Sequence, residues 1–148
     1  MSINLIPGID SAGSALSAER VRLNVVANNI ANASTTHDIN GKVYRRQMVV
    51  FESVLAQQAA GSQVSGSGTA AGNQVRVREI MEDPRPSKSV YMPGHPDANE
   101  QGMVPMPNVN IAEEMVDMIT ASRSIEANVQ VITTAKQMMQ RAMEIGKR

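Results

Sequence analysis

Apolar residues recur early in the chain at Ile9, Ala12, Leu16, Leu23, Val26 and Ile30, in steps of three and four once Glu19 is counted as a polar interruption. That spacing lines one stripe of a helix and predicts an amphipathic segment over about 10–32. Pro7 and Gly8 fall outside it, and Asp10 or Ser11 is placed to cap its first turn. A second and stronger stripe runs Ile111, Met115, Met118, Ser122, Ile125, Val129, Ile132, Lys136, Met139 and Met143, with two non-apolar positions among ten. It predicts one helix reaching the C-terminus, about 52 Å long at the ordinary rise per residue. Asn110 followed by Glu113 resembles a capping box, and Glu113, Glu114 and Asp117 at the start against Lys136, Arg141, Lys147 and Arg148 at the end complement the helix dipole. A further apolar line, Val131, Ala135, Met138, Ala142 and Ile145, gives the second helix more apolar surface than one partner helix covers, so further neighbours are expected.

Between the helices, Lys42 to Phe51 is rich in Val and aromatics, and Gln74 to Met81 alternates apolar with polar residues; both read as strands of a small hairpin or sheet. Ala56 to Gln74 holds no charge, four Gly and one aliphatic residue larger than Ala, and reads as a mobile loop. Asp83 to Asn108 carries six of the seven prolines and reads as an extended arm with turns rather than regular structure. The expected architecture is therefore mainly α: long N- and C-terminal amphipathic helices pairing as a coiled-coil-like domain, with a small irregular β-containing middle. The expected divisions are 1–35, 36–108 and 109–148.

Composition removes several classes of function. Among 148 residues there is no Cys, so disulfides and thiolate metal sites are excluded. Fourteen basic side chains balance fourteen acidic ones without a basic block, which argues against nucleic acid as a partner. The longest uninterrupted apolar run noted is Met48 to Phe51, far short of a membrane span, and residues 1–10 lack the basic and apolar regions of a cleavable signal. With Tyr44, Phe51 and Tyr91 as the only aromatics, the core must be built from aliphatic residues, Met and Ala.

No catalytic constellation is present. His37 and His95 are not in a helical metal-pair spacing, and the grouping of His95, Asp97 and Glu100 suits a proline-flanked turn better than a cation site. Gly66, Gly68 and Ala71 match a phosphate-loop spacing by chance, without the strand and helix such a loop needs. Carboxylates cluster on what read as solvated helix ends, and Asn32-Ala33-Ser34 is a formal glycosylation acceptor without a secretory context. No metal or cofactor is expected. Met115, Met118, Met138, Met139 and Met143 on a heptad read as core in preference to a promiscuous groove. Asn24, Asn28 and Asn32, spaced by four, form either a solvated polar stripe or a register-setting set of buried amides.

Val25 to Thr35 (VVANNIANAST) resembles the N-terminal signature of bacterial flagellar rod and hook proteins, with Asn24, Asn28, Asn29 and Asn32 as the signature positions. Tyr44 to Phe51, Pro93 to Gly102 and Pro107 to Met138 are similar to the proximal rod members of that family. Departures fall at Met103 and Ile125, where the family pattern carries an aromatic, at Thr133, where it carries Asn, and at the variable positions 36–42. The resemblance implies a structural, non-enzymatic subunit of the basal-body rod in the periplasmic space. It would be exported without a cleaved signal through the flagellar type III apparatus and would assemble with other rod proteins and itself, without inserting into a membrane. The assembly interface expected on the two stripes comprises Leu16, Leu23, Val26, Ile30, Met115, Met118, Ile125, Val129, Ile132 and Met139. Two other classes compete with this reading. A small peptidoglycan-acting enzyme would need a carboxylate in a cleft, and an export adaptor would remain a closed monomer or dimer.

Overall fold

The computed structural model describes residues 7–37, 41–54 and 74–146. Helix α1 spans Pro7–Ala31 and helix α2 spans Ile111–Ile145. Between them lie strands β1 (Gln47–Val54), β2 (Gln74–Glu82), β3 (Lys88–Tyr91) and β4 (Met103–Met106). Pro7 and Gly8 are inside α1, contrary to expectation, because the first turn needs no intrahelical N–H and proline's fixed φ suits it. Asn110 begins α2: its Oδ1 accepts from the Ala112 N–H at 3.2 Å, and its Nδ2 donates to Glu113 Oε1 at 3.0 Å.

The mainly α assignment with an irregular middle is corrected. β1 and β2 pair antiparallel over eight registered positions, from Gln47 opposite Glu82 to Val54 opposite Gln74, with a bulge that leaves Arg78 unpaired between Val50/Glu79 and Phe51/Val77. β3 and β4 form a second, separate antiparallel ribbon from Lys88/Met106 to Tyr91/Met103, inside the stretch expected to be irregular. Proline density misleads there, since Pro105 sits in β4 of a two-stranded ribbon, where a missing N–H can face away from the partner. Gly102 closes this ribbon at φ +72°. A Cβ on it would stand 2.9 Å from the Tyr91 ring and 3.1 Å from Pro93, so this turn requires glycine on two counts.

α1 is the shared wall of the molecule, packing against α2 and against both strands of the β1–β2 ribbon. Ser14, Ser17, Ala18 and Val21 face the ribbon across an apolar groove of about 390 Å³, and the Val75 N–H donates to Ser14 Oγ. Arg22 and Asn29 reach Asp117 and Glu114, which sets the two helices antiparallel. The line of Ala12, Leu16, Glu19, Leu23, Val26 and Ile30 lies on the side of α1 away from these ribbon-facing residues, and on it Ala12 and Val26 are buried. The core is small, made of Ala, Val and a few buried polar groups. The uncharged loop expected over 56–74 and its Gly66, Gly68, Ala71 match lie outside the described residues, Gln74 excepted.

Candidate functional site

Two features of the fold stand out as candidate sites: the joint where α1, the β1–β2 ribbon and α2 meet, and the outward surface of α2. The joint is built around Asn29, 1% exposed. Its amide pairs with the backbone of Gln47 as a neighbouring strand would, Nδ2 donating to the Gln47 carbonyl at 2.8 Å and Oδ1 accepting from the Gln47 N–H at 2.9 Å. The remaining two hydrogen-bonding positions are filled by Tyr44, which donates from its hydroxyl to Oδ1, and by Glu114, whose Oε2 accepts from Nδ2. All four are thereby satisfied, the condition for burying an amide at little cost.

Glu114 is completely buried in the first turns of α2, not on a solvated helix end. Its other oxygen, Oε1, accepts from Arg46 Nε at 2.5 Å. The same guanidinium reaches Asp117 at 3.3 Å and Asp83 at 3.6 Å, while Arg22 approaches Asp117 from α1 at 3.2 Å. Asn108, just ahead of α2, accepts the Arg46 backbone N–H and donates to the Arg85 carbonyl. One cationic side chain from the lead into β1 thus ties together three carboxylates, Glu114 and Asp117 of α2 and Asp83 just after β2. The Arg85 guanidinium, hydrogen-bonded to Asp83, pulls that carboxyl down to about 2, with the Arg85 backbone N–H and the Arg46 charge helping. Burial, followed by the charges of Glu114 and Glu82, raises the Tyr44 phenol above its ordinary value and keeps it a hydrogen-bond donor.

A second, smaller link joins the exit of α1 to the β3–β4 turn. Thr36 Oγ1 donates to Asp97 Oδ2 at 2.7 Å, and His37 Nδ1 stands 3.2 Å from the same oxygen. The Thr36 bond, then the His37 charge and hydrogen bond, lowers the Asp97 carboxyl. His95 accepts the Asp97 N–H on Nδ1. Of the residues weighed for a cation, Asp97 is thus committed to Thr36 and His37, and no group of three potential ligands converges among the described residues.

Placement of the interface residues named from the sequence divides them. Val26 is buried, and Leu16, Leu23, Ile30, Met118, Ile125, Ile132 and Met139 are half-buried, whereas Met115 and Val129 are exposed. The buried line of α2 instead continues through Glu114, Ala121 and Ala135, with half-buried Asn128 between them. Met118, Ile125, Ile132 and Met139 are common to both lines; the other half is rotated by one residue toward small and polar side chains, which let the helices approach closely. Apolar side chains are left outside as a result: Met115, Val116 (64% exposed) and Ile119 near the start of α2, and Met138, Met143 and Ile145 (77% exposed) near its end. Within one chain, then, the Met stripe divides: Met118 and Met139 are half-buried on the inward line, whereas Met115, Met138 and Met143 are exposed. Asn24 and Asn28 are exposed and Asn32 is half-buried; the buried amide is Asn29, beside the i, i+4 stripe. Glu114, Arg46 and Asp83 carried no signal of their own, since a charge at a helix start or beside a strand reads as solvated.

No helix among the described residues is long and apolar enough to cross a membrane. The two helical ends are also the segments that match known families: residues 9–36 match the model "Flagella basal body rod protein" and residues 100–145 the model "Flagellar basal body rod FlgEFG protein C-terminal". These matches define a structural protein of the flagellar basal-body rod. Over nearly its whole length the chain is 43% identical to the flagellar basal-body rod protein FlgC of Yersinia enterocolitica, covering 98% of this chain and 100% of that one. Identity is 45% with FlgC of Bacillus subtilis, over 94% and 96% of the two chains, and 40% with FlgC of Borreliella burgdorferi, over 97% and 98%. The chain belongs to the FlgC family of flagellar basal-body rod proteins. It is a structural subunit of the rod and not an enzyme, which removes the wall-acting alternative.

Proposed function

We infer that the subunit adds to the rod through the outward face of α2, while the polar joint holds that helix rigidly to α1 and the β1–β2 ribbon. The observation that carries this reading is the apolar surface left uncovered on α2, where Met115, Val116, Ile119 and Val129 are all close to half exposed or more. A helix apolar on two sides buries the second side against other molecules. Of the residues named from the sequence, Met115 and Val129 would touch neighbours directly. Leu16, Leu23, Val26, Ile30, Met118, Ile125, Ile132 and Met139 would serve by holding the helix pair, and the amides Asn24, Asn28 and Asn32 would lie along the outer side of α1. Neighbours on this reading are other rod proteins and further copies of this chain, in the periplasmic part of the basal body. Delivery would proceed through the flagellar export apparatus without a cleaved signal.

The test sets Ile119→Asp against Ile132→Asp. The first lies outside the chain's own core and should leave the purified subunit folded while it fails to appear in isolated basal bodies. The second, half-buried in the helix pair, should lower the subunit's own stability by several kcal/mol, since a carboxylate must be desolvated without a partner. Normal incorporation of Ile119→Asp would overturn the outward face as the assembly surface.

A further inference from the structure

The chain contains eleven methionines and neither cysteine nor tryptophan, so thioether sulfur is its most readily oxidised group. Five of the eleven lie on α2, and the helix pair sorts them. Met118 and Met139 are half-buried on the inward line, whereas Met115, Met138 and Met143 are each more than half exposed. Met138 and Met139 are adjacent in the chain, about 100° apart around the helix, and fall on opposite sides of that division. The outward thioethers share the apolar surface of α2 with Val116, Ile119 and Ile145, so that surface stays apolar only while its sulfur atoms stay reduced.

We propose that Met115, Met138 and Met143 form an oxidation-sensitive modification site: a peroxide converts them to sulfoxides in the free subunit, which keeps its fold and loses the ability to add to the rod. The proposal rests on the assembly reading above and adds a reversible chemical switch to it. The sulfur lone pair attacks one peroxide oxygen, an S–O bond forms as the O–O bond breaks, and the departing oxygen takes up the proton and leaves as water. Sulfur is oxidised by two electrons and the peroxide is reduced by two. The sulfoxide carries a polar oxygen where the thioether was apolar, and burying it against an apolar neighbour leaves that oxygen without water or a donor. Met118 and Met139, half-buried in the helix pair, are reached more slowly. Reversal requires a methionine sulfoxide reductase for each sulfoxide epimer, with a dithiol oxidised to its disulfide and the oxygen released as water.

A chain without cysteine gives the oxidant and the dithiol no thiol to act on. The purified full-length subunit is treated with hydrogen peroxide and mapped by peptide mass spectrometry. Met115, Met138 and Met143 should gain one oxygen each several-fold faster than Met118 and Met139, with circular dichroism and the denaturant midpoint unchanged. Both reductases with dithiothreitol should remove that oxygen. Equal rates at all five sulfurs, or loss of the fold with the first oxidations, would overturn the site. In a second arm Met115→Gln, Met138→Gln and Met143→Gln are combined, glutamine being a polar stand-in for the sulfoxide with good helix propensity. Basal bodies from that strain should hold at least about tenfold less subunit. Met81→Gln with Met92→Gln, exposed in β2 and just after β3, should be incorporated normally, and equal exclusion of this pair would overturn the confinement to α2. A triple variant that unfolds would show that these side chains are covered within the chain, which also overturns the proposal. Normal incorporation of the triple variant beside exclusion of Ile119→Asp removes the modification site and leaves the assembly reading standing; normal incorporation of both removes both.

Discussion

The two ends of α2 bear side chains of the wrong polarity for their surroundings, in opposite senses. At the start, Glu114 is 0% exposed and yet charged; at the end, Met143 is 62% exposed and apolar. The buried charge is compensated within the chain, by Arg46 and Asn29, whereas the methionine is left mostly uncovered. A group compensated internally shapes the subunit, and on the proposed reading a group left uncompensated shapes the assembly. Substitutions at Glu114 and its buried partners should therefore unfold the monomer, while those at the exposed apolar positions should spare it.

The largest effect should come from Glu114→Ala. Removing one partner of a buried ion pair leaves Arg46 without its closest anion and typically costs about 3–5 kcal/mol, read as a lower denaturant midpoint of the purified subunit. The paired replacement Arg46→Met with Glu114→Leu should recover most of that loss, because desolvation of both charges disappears together. A single variant as stable as the parent would show that the joint is hydrated and that the contrast between the two ends is false.

Asn29→Asp comes next. It replaces two donors by acceptors facing the Gln47 carbonyl and the Glu114 carboxylate, and unsatisfied or repelling buried groups of this kind cost about 2–3 kcal/mol. Asn28→Asp, one residue away and exposed, should stay within about 0.5 kcal/mol. Ala121→Leu enlarges a fully buried side chain on α2, so overpacking should cost about 1–3 kcal/mol. Each is measured by the same denaturation curve, and equal effects of the two Asn substitutions would mean that the joint is not centred on Asn29.

These sites also mark where sequence reasoning worked. Helix positions were legible because a 3.6-residue period in apolar residues has no other explanation over two dozen positions. Which side of α2 turns inward was only half legible. Apolar spacing selects Met115 and Val129, but close approach of two helices selects small residues, and Ala121 and Ala135 weigh little in an apolar pattern. β3 and β4 were hidden for another reason. A ribbon of four-residue strands set in a proline-rich stretch, closed by a glycine at positive φ, has no alternation long enough to see. Long-range polar pairs such as Arg46 with Glu114, 68 positions apart, leave no local trace in a single sequence.

Acid should weaken the joint before it affects the apolar end. Asp83 has its carboxyl lowered from 3.8 to about 2 by Arg85, so the folded chain favours the ionised form more than the unfolded chain does. The stability this contributes is fully present above the unfolded value and is lost as pH falls from about 4 toward 2. Asp97, also lowered, acts in the same direction through Thr36. Asp83→Asn should flatten the pH dependence of the unfolding midpoint between pH 4 and 2; an unchanged slope would assign the acid sensitivity to other carboxylates.

The smallest effect on the monomer should come from Ile145→Ser. Its side chain is 77% exposed at the last residue of α2, where Gly146 closes the helix through its N–H to the Ala142 carbonyl at 3.1 Å. Little apolar area is buried there to lose, and serine at a helix terminus forfeits only a few tenths of a kcal/mol in propensity. Thermal and denaturant midpoints should thus match the parent within about 0.5 kcal/mol. Copies able to assemble would bury the same side chain, so this substitution should be felt in basal-body incorporation and not in unfolding. A drop in monomer stability of 1 kcal/mol or more would show that the end of α2 is already covered by its own chain. The division of the helix into an inward-compensated start and an outward-facing end would then have to be redrawn.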